Sequence, residues 1–199
     1  DRLLSRGLGD VYKRQELPAS GGSMTIAAST TPVEFKEASL TSTVSSIRWL
    51  AAPTSRLWVE QAIAKPMQVL IDHAHCERKA AGSAVQLMFR YLCEPGIGEV
   101  LSPLAREELA HFEQVLDLLK SRGRYLEPLR SSGYGADLAK QVRRGEPDRM
   151  LDSFLVAGLI EARSHERMAL LAEHSPDQAL RTLYGLSLIH ISEPTRQKP

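Results

Sequence analysis

Apolar residues recur at three- and four-residue steps through most of the chain, the period of helices with one buried face, and no stretch alternates as a strand would. SIRWLAAPTSRLWVEQAIA, from Ser46, is helical in pieces and broken at Pro53. A first long helix is predicted from Pro66 to Leu92, because proline suits a first turn and CEPGIGE breaks the pattern. Ser102 as N-cap before Pro103 predicts a second helix ending near Ser121, with Gly123 as its stop. A turn-rich segment reaches Gly135, and a short helix from Ala136 to Arg144 closes at GEP. A third long helix spans Asp148 to His174, and another begins at Asp177 and is cut short near Leu186. The expected fold class is all-α, an antiparallel bundle of long helices.

The two ends do not continue this pattern. Residues 1–23 and 187–199 read as adapter-derived sequence, and residues 24–186 as the domain, with residues 24–45 a Ser/Thr-rich lead-in. On that reading most of the fourth core helix is missing. Composition adds limits: 43% hydrophobic and 25% charged residues suit a chain with a packed core. With 25 Lys and Arg against 24 Asp and Glu, nucleic-acid binding would need a local basic patch. Cys76 and Cys93 are too few for a disulfide framework and read as free thiols of a reducing compartment. No signal peptide and no membrane span is visible, so a cytoplasmic location is expected, with no membrane partner.

Carboxylates fall where apolar residues belong. Glu77 shares a helix face with Leu70, His73, Ala74, Ala81, Ala84 and Met88. Burying a lone carboxylate is costly, so a cation is expected across from it. On the second helix Glu108 and His111 stand three residues apart beside Leu104, Phe112 and Val115, aiming two ligands at one point; Glu107, one turn before His111, is a rival or supporting partner. On the third, Glu161 follows Phe154, Ala157 and Gly158 on its face and precedes His165 and Met168. Glu166 lies about 140° around the helix from Glu161, so only one of them faces the centre. The small residues favour Glu161 and leave Glu166 as its rival. Glu77 and Glu108 are 31 residues apart, a length that suits two antiparallel helices with ligands at one level. The same step from Glu161 reaches LIHISEP, where no Glu-x-x-His occurs.

LIDHAHCERKAA (Leu70 to Ala81), LAREELAHFEQVL (Leu104 to Leu116) and GLIEARSHERMALLA (Gly158 to Ala172) together resemble the MiaE family. These are tRNA hydroxylases acting on 2-methylthio-N6-isopentenyl adenosine. GYGADLAKQVRRGEP and LRTLYGL add weaker support, and the likeness spans about Trp58 to Leu186. The resemblance implies a ferritin-like four-helix bundle holding two iron ions, with O2 as cosubstrate and a reductase as electron donor. The implied substrate is the hypermodified adenosine beside the tRNA anticodon. Carried over by motif, the metal ligands are Glu77, Glu108, His111 and Glu161, and His73 and His165, each one turn from a ligand, support them together with Glu107. The absent last Glu-x-x-His makes the chain as written expected to be inactive.

Arg122, Arg124, Arg130, Lys140, Arg143 and Arg144 are the candidate RNA contacts, with Tyr134 or Tyr125 to stack on a base. Two other readings use the same residues. A ferritin- or rubrerythrin-like oxidase of iron or peroxide would share the ligands, and a metal-free helical interaction protein would use Glu and His as a buried polar network.

Overall fold

A computed structural model of the chain describes residues 50–130 and 132–192, with side chains as far as 188. The expectations for residues 1–49 and 193–199 lie outside the described residues. Among the described residues six helices follow in order: α1 (Arg56–Ala64), α2 (Pro66–Arg90), α3 (Ile97–Ser121), α4 (Tyr134–Ala139), α5 (Asp148–His174) and α6 (Gln178–Ser192). There is no strand among the described residues.

Local chemistry sets most boundaries. Ser55 caps α1 by accepting from the Trp58 amide, and Pro66 opens α2 with only Lys65 between the two helices. Asp177 Oδ1 accepts from the amides of Ala179 and Leu180 and starts α6, a cap of the sort worth about 1 kcal/mol. Three expectations need correction. Helix α3 begins at Ile97, not Ser102, because Gly96 makes the turn in the left-handed region (φ 83°) and lets Ile97 and Leu101 reach the core. Pro103 then lies inside the helix; the carbonyl it cannot pair with belongs to exposed Glu99, which water can reach. The short helix is Tyr134–Ala139, earlier than Ala136 to Arg144, since Gly133 turns the chain into it with φ 78°. Finally, α6 ends at Ser192 and not near Leu186, and with 15 residues it is shorter than α5 with 27.

Helices α2 and α3 form one antiparallel hairpin, and α5 and α6 form another. Arg122, just past α3, pairs with Asp177 at the start of α6 at 2.7 Å. The main core lies at this end: Trp58, Val59 and Ala62 of α1 pack with Leu70 and Ala74 of α2, Val115 and Leu119 of α3, Leu170 and Leu171 of α5, and Leu180, Leu183 and Tyr184 of α6. A smaller cluster of Ala84, Leu101 and Ala105 lies toward the α2–α3 turn, flanked by Met88, Ile97 and Phe154. Leu70, Glu77 and Ala84 run in steps of seven along α2, while Val115, Glu108 and Leu101 run in steps of seven back along α3. The carboxylates therefore form a polar layer between two apolar ones.

Candidate metal centre

The layer is built from facing helical positions. Glu77 and His111 are buried and Glu108 is half-buried. One ligand atom from each of Glu77, Glu108 and His111 lies within 4.8 Å of the other two, a spacing that one metal ion can bridge. Buried His73, one turn before Glu77, donates from Nε2 to Glu77 Oε1 at 2.6 Å. His111 Nδ1 stands 3.8 Å from Glu77 Oε2, an ion-pair separation.

Electrostatics explains the proton inventory. Burial alone would raise Glu77, but its interactions with His111, His73 and Glu108 outweigh burial and hold it well below the usual carboxylate range. Glu108 is pushed up to about 10, first by burial and then by its hydrogen bond to Glu77 and the charges of Glu77, Glu161 and Glu107. Glu161 is also raised, by burial and then by Glu77, and His111 is raised by Glu77. Two carboxylates this close share a proton when nothing else neutralises them. Three carboxylates beside two imidazoles, His73 and His111, form a hard donor set that fits iron or another divalent cation.

The two candidates on α5 have different surroundings. Glu161 feels the charges of Glu77, His111, Glu107 and His73. Glu166 is fully buried, and both of its oxygens are engaged away from that cluster: Oε1 accepts from the Thr54 amide at 2.9 Å, and Oε2 from the Thr54 hydroxyl at 2.6 Å and from Arg163. His165 is half-buried; burial lowers its pKa, and its Nδ1 has no hydrogen-bond partner among the described residues. Tyr184, not among the residues expected at the site, has its ring 5.6 Å from that of His73. Its place on one face with Leu180 was the available signal. Thr54 offered none.

A family model described as tRNA-(MS[2]IO[6]A)-hydroxylase (MiaE) matches residues 41–195. The chain belongs to this family. The match is wider than the stretch from Trp58 to Leu186 that carries the motifs. Among curated relatives, the tRNA 2-(methylsulfanyl)-N(6)-isopentenyladenosine(37) hydroxylase of Pseudomonas putida is 42% identical over 138 residues, 69% of this chain and 67% of the relative. The hydroxylase of the same description from Salmonella typhimurium is 28% identical over 193 residues, covering 72% and 70%. Among solved structures, a Synechococcus protein described as having aldehyde deformylating oxygenase activity is 80% identical, covers 73% of each chain and superposes with a TM-score of 0.72. The fold of this MiaE-family chain is all-helical and ferritin-like.

Most of the candidate RNA contacts of this MiaE-family chain already have acidic partners. Arg122 pairs with Asp177, Arg124 with Glu127, Lys140 with Asp137, and Arg143 with both Asp148 and Asp152. Arg130, Arg144 and Tyr125 are exposed, and Tyr134 is half-buried at the start of α4. Cys76 and Cys93 are free and exposed. No helix among the described residues is long and apolar enough to cross a membrane.

Proposed function

We propose that this chain is an O2-dependent di-iron hydroxylase of tRNA, acting on the isopentenyl group of 2-methylthio-N6-isopentenyl adenosine beside the anticodon. The observation that carries this reading is the buried Glu77–Glu108–His111 cluster in a chain of the MiaE family. Glu77, Glu108, His111 and Glu161 are the ligands on this reading. Bound iron supplies O2 activation and C–H hydroxylation, with electrons from a reductase.

The protein's own side chains do the rest. Glu108 gives up its proton to admit the cation, and His73 holds the Glu77 carboxylate in one orientation. His165 and Glu107 support Glu161 and His111 from one turn away. Ala81, Ala84, Phe112, Val115 and Met168 give the centre an apolar wall that excludes water. An anticodon-loop base is already single-stranded, so turning it toward the bundle costs little. Arg130 and Arg144, with Tyr125 or Tyr134, are the residues of the inter-hairpin segment proposed to meet the RNA.

The 80% identity with the Synechococcus protein favours a second reading, in which the same centre removes the formyl carbon of an apolar aldehyde. Both substrates present an apolar group to a dry carboxylate–histidine site. One experiment separates them: iron-loaded protein with a chemical reductant and O2 is given modified tRNA or a long-chain aldehyde. The chain as written, without the last Glu-x-x-His, is expected to give neither product; with that motif supplied near residue 190 the expected product is a nucleoside heavier by one oxygen atom. Formate from the aldehyde with unchanged tRNA would replace the first reading by the second, and iron-free protein after reconstitution would overturn both.

A further inference from the structure

Helix α5 is held unevenly. Its fully buried residues are Glu166, Leu170 and Leu171, all in its second half, whereas residues 148–165 include none. The fully buried residue of α5 nearest to Glu161 is therefore Glu166. Five residues separate them, about 140° of helix rotation, so the direction in which Glu166 is held decides the direction of Glu161.

Glu166 is held by a latch. Thr54 donates to it from both amide and hydroxyl, and Arg163 pairs with the same carboxylate. Arg163 also donates to the Thr54 hydroxyl at 3.2 Å and to the Ala52 carbonyl at 2.8 Å. One turn of chain later, the Arg167 guanidinium lies over the Trp58 ring, 4.7 Å from its centroid. The segment from Ala52 to Trp58 is thus strapped to one side of α5 by three residues, 163, 166 and 167, while Glu161 lies on the side of Glu77 and His111. A buried carboxylate that lost these donors would be expensive to keep in place, so the latch resists rotation of the helix.

We propose that Glu166, clamped by Thr54 and Arg163, is a positioning residue that fixes the rotation of α5 and so keeps Glu161 turned toward the Glu77–Glu108–His111 cluster. The inference rests on Glu161 being a ligand. It gives Glu166 a role toward the metal without contact with it, and ties the site to a segment that lies before the bundle.

The test uses cobalt(II) as the metal probe on metal-free full-length protein, followed by its visible ligand-field bands and by chelator competition. Circular dichroism and thermal melting check the fold. Glu166→Gln and the gentler Thr54→Val are compared with Glu161→Ala and with the Glu161→Ala/Glu166→Gln double variant. Both latch variants are expected to keep helix content and a cooperative melt, and to lose cobalt affinity by about 10- to 100-fold. Their spectra should shift toward that of Glu161→Ala. The double variant should bind no more weakly than Glu161→Ala alone, because both changes act through one side chain. Parental affinity and spectrum in both folded latch variants, beside an altered Glu161→Ala, would overturn the latch and leave Glu161 a ligand. An unaltered Glu161→Ala would instead remove the ligand reading, and the latch with it. Additive losses in the double variant would also overturn the proposal.

Discussion

Replacing Glu108 by glutamine should stabilise the metal-free protein and deprive it of its response to metal. Ligand atoms of Glu77 and Glu108 lie within 4.8 Å of each other. Two negative charges at that distance repel by about 3.5 kcal/mol at an effective dielectric constant of about 20. The metal-free fold avoids this by keeping a proton on Glu108, whose pKa rises from the ordinary 4.5 to about 10. Holding that proton has its own cost. At pH 7 the unfolded chain has released it, and keeping it in the fold costs stability that grows with each pH unit above 4.5, on the order of a few kcal/mol at pH 7. The sign follows from the raised folded-state value: this contribution is fully present below pH 4.5 and is lost as pH climbs from 4.5 through about 10. Glutamine has no proton to lose and can still donate to Glu77. The gain from Glu108→Gln should vanish near pH 4.5 and grow with pH. Glu108 is only half-buried, so solvent screening lowers the gain at pH 7 to about 2 kcal/mol, or some 4–8 °C in Tm. Thermal melts of chelator-treated protein from pH 4.5 to 8.5 measure it. A difference that does not change with pH, or a variant less stable than its parent at pH 8, would refute the shared-proton account.

Metal uptake by the parent should release at least one proton per chain near pH 7, seen by calorimetry in buffers of different ionisation heat, and affinity should rise with pH; no release would contradict the proton on Glu108. Asp177→Ala removes the α6 cap and the Arg122 ion pair together, and should cost about 1–2 kcal/mol in urea unfolding. Arg122 holds the Asp177 carboxyl below its ordinary range, so the parent's advantage over this variant should fade as pH drops below 4. Tyr184→Phe should leave stability unchanged or raise it by about 1 kcal/mol, since the buried hydroxyl has no partner among the described residues; a loss above about 1 kcal/mol would reveal a bond or a water held there. Leu70→Ala, in the middle of the main core, should cost about 2–5 kcal/mol.

The polar layer was legible in the sequence because it obeys helix spacing. Glu77 among alanines and Glu108 three residues before His111 mark a face, and the matching steps of seven along α2 and α3 turn those faces into one site. Helix α5 was legible from end to end because Asp148 and the SPD turn bound an unbroken period. Helix α3 misled because Ser102-Pro103 imitates a helix start, and burial of Leu101 with partly buried Ile97 packed beside it overrode that local preference. The surroundings of Glu166 could not be read at all. Thr54 lies 112 residues away along the chain, and no local pattern announces such a partner. The basic segment misled differently: lysines and arginines are countable in a sequence, but their neutralisation by Asp137, Asp148, Asp152 and Asp177 is visible only in three dimensions.

Where stability resides in this bundle also bears on what its centre can do. The large apolar side chains that are fully buried, Val59, Leu70, Ile71, Val115, Leu119, Leu180 and Tyr184, belong to the end joined by the Arg122–Asp177 pair. Beyond the carboxylate layer the apolar cluster is small, and Val100, Leu151 and Leu155 are exposed. A layer of carboxylates that must borrow a proton to coexist is a local debit against the fold. The bundle tolerates it because the core at one end does not pass through the layer. Metal would then act less as a staple for the whole chain than as a clamp between the α2–α3 hairpin and the loosely held first half of α5. Hydrogen exchange should register this as protection gained in residues 148–165 on metal addition, with the amides around Leu119 and Leu170 already slow without it. Equal protection gained throughout would mean that the two ends fold as one unit and that the layer carries the whole bundle.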